Sequence, residues 1–307
     1  METFKFGNNL GKKQNLFIKA AVEAYRFLIN SNLVTAAAGS SLAYAYYKVT
    51  SSVKGVLPYV WLTFLYIFAM HTFNRFIKFN AYKYNSPSRA RFFAKAKTVY
   101  IILGIFSLIT AAVSSFLINI PHLIILILCS LPGILYALPL FPSSFKKILP
   151  YRSLREIPGS KDIFIALGWA FIIVLFPAIA NPGTFSKTTI PAFIFIFLIV
   201  SIRSVLFDIL DIPGDRITGN ETIPILLGFR KTRKLLGVLL AVSLIMLLLG
   251  IGMRIIPIKG MIFSFPILYL GICTIGCSEK AAYYPSLYEG IIDFNFIIIG
   301  CAAFLFV

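Results

Sequence analysis

The chain has 307 residues, of which 59% are hydrophobic and 13% charged, with a mean hydropathy of +0.87. Soluble domains carry roughly a quarter of their residues charged, so these values exclude an ordinary soluble enzyme and imply a polytopic helical membrane protein. The formal charge of +18 does not point to nucleic acid, because Lys and Arg gather in the segments between apolar runs, as the positive-inside rule requires.

Read in order, the arm 1–24 is too polar for a cleavable signal and carries Lys5, Lys12, Lys13 and Lys19. Its stretch 13–31 suits a surface helix leading into the first span. Nine spans are predicted, at 26–47, 57–77, 98–117, 120–140, 162–180, 190–211, 235–253, 258–277 and 290–307. Each holds about 18–22 residues, enough to cross a hydrocarbon core of about 30 Å. Basic residues load 78–97, 141–161 and 213–234, whereas the opposite connections hold few. The N-terminus and the three basic loops are therefore expected in the cytoplasm, with the chain integral to the cytoplasmic membrane. No linker or low-complexity tract divides it, so residues 1–307 are expected to form one domain.

The cysteines Cys129, Cys273, Cys277 and Cys301 lie in apolar runs, with no His or further Cys to complete a zinc set. Phosphate-binding Gly loops and hydrolase motifs are missing. His122 has no acidic neighbour and is expected at the outer interface.

Chemistry concentrates in one place. Asp208, Asp211 and Asp215 close the sixth apolar run, in a chain with only 11 acidic residues. Carboxylates at membrane depth are costly and normally have a partner. Their i, i+3, i+7 spacing sets them near one helical face, and carboxylates together with substrate phosphates are the usual way to hold Mg²⁺. Pro213 predicts that the helix stops or kinks after Ile212, which would free Asp215 from helical geometry. Gly214 and Gly219 would let the backbone turn and approach closely, and Arg216 suits phosphate. Upstream, His71 lies three residues before Asn74, as an acceptor contact or a buried polar partner. Lys161 and Asp162 open the fifth span, as an acceptor-site pair or a capped helix start.

The run Asp208-x-x-Asp211-x-x-Gly214-Asp215-Arg216-x-x-Gly219-x-x-Thr222-Ile223-Pro224-x-x-x-Gly228 resembles the second aspartate-rich motif of the UbiA superfamily of intramembrane prenyltransferases. Tyr136-Ala137-Leu138-Pro139 is similar to its Tyr-x-x-Pro element, and Asn32 to Ala36 to the opening of its first helix. The resemblance covers nearly the whole chain. It implies a bundle of nine transmembrane helices that moves an isoprenyl group from a prenyl diphosphate to a hydrophobic aromatic or lipid acceptor. It also implies Mg²⁺ between two aspartate-rich motifs, membrane lipids as surroundings and no nucleic acid.

The first motif departs from the family pattern Asn-x-x-x-Asp-x-x-x-Asp. Asn74 is kept, but Lys78 and Tyr82 stand where the two aspartates belong, followed by Asn85-x-Pro87-x-Arg89. Lysine offers a positive charge and no acceptor, so fewer ions than the family norm are expected. The resemblance implies catalytic roles for Asp208, Asp211, Asp215, Asn74 and Lys78, with the three aspartates as metal ligands. Lys78, Arg89 and Arg216 become diphosphate contacts, and His71, Tyr136, Lys161, Asp162 and Phe207 the prenyl or acceptor pocket. Two readings stay open: transfer with Lys78 replacing a metal charge, and a non-catalytic prenyl-lipid-binding or assembly protein on the same fold.

Overall fold

The computed structural model describes residues 12–53, 55–77, 84–85, 87–137, 154–181, 184–277 and 284–307. Helices account for nearly all of them: α1 (Lys12–Asn30), α2 (Leu33–Thr50), α3 (Val56–Ile77), α4 (Pro87–Ile118) and α5 (Ile120–Ala137) come first. Then follow α6 (Ser160–Ala180), α7 (Thr189–Thr218), α8 (Ile223–Leu227), α9 (Phe229–Gly252), α10 (Ile258–Gly276) and α11 (Pro285–Phe306). Helix α6 contains a π-helical turn over Phe171–Leu175, just before Pro177, and α10 begins with a 3₁₀ turn over Ile258–Phe263.

The expectation of nine spans is corrected. Among the described residues, seven helices are long and apolar enough to cross a membrane, namely α3, α4, α6, α7, α9, α10 and α11. The first expected span, 26–47, is two helices, broken where Asn32 takes a left-handed conformation with φ 65°. Asparagine tolerates that conformation because its short amide bonds locally. The Asn32 side chain is fully buried, donating to Thr72 Oγ1 at 3.3 Å and accepting from Arg75 Nε. Beyond the break, α2 is rich in Ala, Gly and Ser and lacks the continuous apolar run of a lipid-facing span. Its small side chains instead let α11 and α3 pack closely against it. A Cβ on Gly300 of α11 would lie 2.6 Å from Ser41 Cβ, and one on Gly39 would strike Ile67. In the fourth expected span, 120–140, the described apolar stretch is the shorter Ile120–Leu131. The chain is an all-α, multi-pass integral membrane protein.

Two other expectations change. Helix α4 starts at Pro87, so Arg89, Arg91, Lys95 and Lys97 sit on helix rather than loop, with a local kink at Ala96, between the last two of them. His122, expected at the outer interface, has its side chain buried within the protein. Its Nε2 lies 2.9 Å from the Tyr59 hydroxyl, and Asn119 Oδ1 accepts from its backbone N–H at 3.0 Å.

Buried ion pairs tie the bundle together. Arg203 of α7 donates to both oxygens of Asp293 on α11, at 2.5 and 2.9 Å, and Thr35 of α2 adds a third bond at 2.8 Å. The Arg203 guanidinium lies over the rings of Trp169 and Phe207, 4.9 and 4.2 Å from their centroids. Arg89 makes a bidentate pair with Glu289 of α11, both bonds 2.7 Å, and reaches Asn30 at 3.1 Å. Tyr25 fixes α1 over the same end of α11 by donating to the carbonyls of Ser286 and Leu287. Burial, helped by the Glu289 carboxylate, pushes its phenol up to about 12, so Tyr25 remains a donor at physiological pH.

Candidate metal and diphosphate site

Helix α7 does not end at Ile212. It continues through Pro213 to Thr218 and stops at Gly219, which takes φ 70°. The reading of Pro213 as a stop is therefore corrected. Proline lacks an N–H and removes one bond from the ladder, but the following turn is held from outside. Gly214 N–H donates to Asn85 Oδ1, and Asn85 Nδ2 donates to the Asp211 carbonyl at 3.0 Å and to Asp211 Oδ1 at 3.2 Å. A Cβ at position 214 would sit 2.4 Å from Asn85 Oδ1, so only glycine admits this side chain.

Because the helix continues, all three aspartates obey helical geometry. Asp208, Asp211 and Asp215 each offer a carboxylate oxygen, and these oxygens lie within 4.8 Å of one another. All three residues are buried. Asn220 Nδ2 donates to Asp215 Oδ1 at 3.0 Å. Lys161, in the first turn of α6, donates to Asp208 Oδ1 and stands 3.9 Å from Asp162 Oδ1. Asp162 in turn accepts from Ser204 Oγ at 2.5 Å. Asp208 Oδ2 is buried with no hydrogen-bond partner among the described residues. A buried carboxylate oxygen left in that state is costly, and three hard oxygen donors suit Mg²⁺ rather than a thiolate-loving metal. The residues present fit such an ion.

Other sequence-predicted residues fall in different surroundings. The structure brings Lys161 onto the aspartate cluster, with Asp162 buried beside it, and α6 is preceded by Gly159 with no side-chain cap. Arg216 is exposed on the last turn of α7. His71 accepts from Trp169 Nε1 at 3.0 Å, and that indole also lies under Arg203. Phe207 is the second ring over which the Arg203 guanidinium lies. Tyr136 packs on Phe164 with ring centroids 5.0 Å apart, and its hydroxyl lies 3.4 Å from Ser160 Oγ, next to Lys161. Arg89 is engaged with Glu289. Asn74 is half-buried near the end of α3. Lys78, Tyr82, Leu138 and Pro139 lie outside the described residues. Sequence reasoning missed Ser204 and Asn220, the neighbours that orient the acids. Ser204 lies four residues before Asp208, one turn up the same face, which is the signal that could have found it.

A Gly214→Ala substitution is expected to expel the Asn85 side chain from between Asp211 and the α7 backbone. Displacement on that scale should weaken divalent-ion binding at the aspartates by about tenfold to a hundredfold, read as the Mn²⁺ affinity of the detergent-solubilised chain against the parent.

A family model described as the UbiA prenyltransferase family matches residues 32–282. No curated protein matches the chain. Among solved structures, a UbiA homolog from Archaeoglobus fulgidus bound to GPP and Mg²⁺ is 16% identical, with a TM-score of 0.62, covering 91% of this chain and 99% of that one. The same homolog bound to DMAPP and Mg²⁺ gives 16% and 0.60, covering 92% and 100%. The apo structure of a UbiA homolog from Aeropyrum pernix K1 gives 14% and 0.65, covering 87% and 96%. At these identities the likeness is one of fold.

Proposed function

Because the chain belongs to the UbiA prenyltransferase family, we propose that it transfers an isoprenyl group from a prenyl diphosphate to a hydrophobic aromatic or lipid acceptor within the membrane. The observation that carries this reading is the buried cluster of Asp208, Asp211 and Asp215, with Asp208 Oδ2 unpartnered among the described residues. The prenyl diphosphates and Mg²⁺ bound by the A. fulgidus homolog support the choice of substrate and ion.

The aspartates would hold Mg²⁺, which supplies positive charge to the phosphate oxygens of the departing diphosphate. This chain's own cations do the rest. Lys161 stands at the cluster, Arg216 is exposed beside it, and Lys78 replaces one family aspartate with a fixed positive charge. Together they stabilise the further negative charge that develops on the bridging oxygen as the diphosphate departs. The bond that breaks joins the prenyl C1 to its diphosphate oxygen. The bond that forms joins C1 to the acceptor, whose proton leaves. Asn85 and Ser204 hold Asp211 and Asp162 in place, and Asn74 faces the same catalytic task from α3. Tyr136, Phe207 and His71 would line the path of the allylic cation, where aromatic faces stabilise positive charge. With two family aspartates replaced, fewer ions are needed than in relatives that keep both motifs. The site mouth faces the cytoplasm in this reading, because the flanking loops are the basic ones.

The test uses the purified chain in detergent with geranyl and longer prenyl diphosphates and a membrane lipid extract. Diphosphate release should require Mg²⁺ and drop to background in EDTA. The product mass should equal acceptor plus prenyl group minus one hydrogen. Tight prenyl diphosphate binding without release at any chain length would replace this reading with a non-catalytic one.

A further inference from the structure

Lys161 is placed where a cation would bind. Its ammonium donates to Asp208 Oδ1, on the same carboxylate whose Oδ2 has no hydrogen-bond partner among the described residues, and Asp162 Oδ1 is 3.9 Å away. The Asp208 side chain is 1% exposed and that of Lys161 is 13%, so the pair is shielded from water and screened little by salt. Lysine is a point charge on a flexible four-carbon stem. Its rotatable stem lets the ammonium leave a carboxylate without a backbone change. A divalent ion entering among carboxylate oxygens that lie within 4.8 Å of one another would share Asp208 with this ammonium, and like charges at that range repel strongly in a buried site.

Resting on the proposed function, we infer that Lys161 is the resident counter-ion of the aspartate cluster and a diphosphate contact: it occupies Asp208 while the site is empty and turns onto the phosphate oxygens when metal and diphosphate enter together. The lysine therefore acts with opposite sign on two ligands. It opposes a bare divalent ion and favours an anionic one. Metal and diphosphate then bind cooperatively, since each relieves what the other meets in Lys161. The neighbour Asp162 keeps the stem near the cluster in both positions, and Ser204 fixes Asp162.

The experiment measures Mn²⁺ binding by loss of the free-ion paramagnetic resonance signal, on the detergent-solubilised full chain without substrate. Geranyl diphosphate binding at saturating Mn²⁺ is measured in parallel. Lys161→Met should bind Mn²⁺ alone about tenfold more tightly and geranyl diphosphate about tenfold more weakly. Lys161→Arg, which keeps the charge, should stay near the parent in both. Unchanged Mn²⁺ affinity in Lys161→Met, or both affinities falling together as from damaged packing, would overturn the inference. Asp208→Asn/Asp211→Asn in the Lys161→Met background separates it from the proposed function. Mn²⁺ binding that survives there removes the metal from this cluster, whatever Lys161 does.

Discussion

The Asp208→Asn/Asp211→Asn double variant is expected to lose prenyl diphosphate turnover by about a thousandfold or more in kcat/KM. Asparagine keeps the shape of each side chain and one acceptor oxygen, so packing at the end of α7 is preserved. What disappears is two negative charges from a group of three carboxylates whose oxygens lie within 4.8 Å. Loss of a single group that stabilises developing charge already lowers rates by about a hundredfold to a thousandfold. Here two of the ion's three ligands and the nearest counter-charge of Lys161 go together. Lys161, at 13% side-chain exposure, can turn toward water instead of being stranded, so the variant should remain folded. Its unfolding midpoint should stay near the parent's while turnover collapses. Turnover retained within about tenfold would shift the chemistry away from the aspartates, onto Lys78 and Arg216.

The largest stability effect is expected at Arg203 and Asp293. Both are buried among apolar helices, at 1% and 2% exposure. Arg203→Leu leaves Asp293, among the described residues, with the Thr35 hydroxyl, and Asp293→Asn leaves the guanidinium with a neutral partner. Removing one member of a buried pair typically costs about 3–5 kcal/mol, because an uncompensated charge stays inside. Replacing both with apolar residues, as in Arg203→Met/Asp293→Leu, should recover most of that loss. Trp169 lies against the Arg203 guanidinium, so its fluorescence during thermal unfolding reports the change directly. A double variant less stable than either single one would mean that the pair does more than neutralise itself.

The sequence made the acidic cluster legible because its three members share one helix. Spacing of three and four residues predicts proximity, and the carboxylates are close. It misjudged the helix end, since Pro213 forbids one internal bond but says nothing of Asn85, 128 positions earlier by number, which braces the adjoining turn from another segment. It misjudged the first span for the opposite reason. An average over 26–47 looks apolar, but the window hides Asn32 at a left-handed turn and a stretch of small residues meant for helix contact rather than lipid. Ion pairs were beyond its reach altogether. Nothing near Arg89 or Arg203 announces Glu289 or Asp293 on α11, because side-chain partners in a bundle are chosen by fold and not by spacing.

The separation of Arg203 from Asp293 also bears on how the protein is made. Arg203 enters the membrane on α7, but its carboxylate follows 90 residues later. At typical rates of synthesis that is a wait on the order of ten seconds. During it the guanidinium lacks the Asp293 carboxylate, and among the described residues the earlier members of its cluster are the Thr35 hydroxyl on α2 and the Trp169 ring on α6. Helix α7 must be sheltered at the insertion machinery or beside α2 and α6 until α11 arrives. Closure of the bundle is then a late event in biogenesis, triggered by delivery of a single carboxylate.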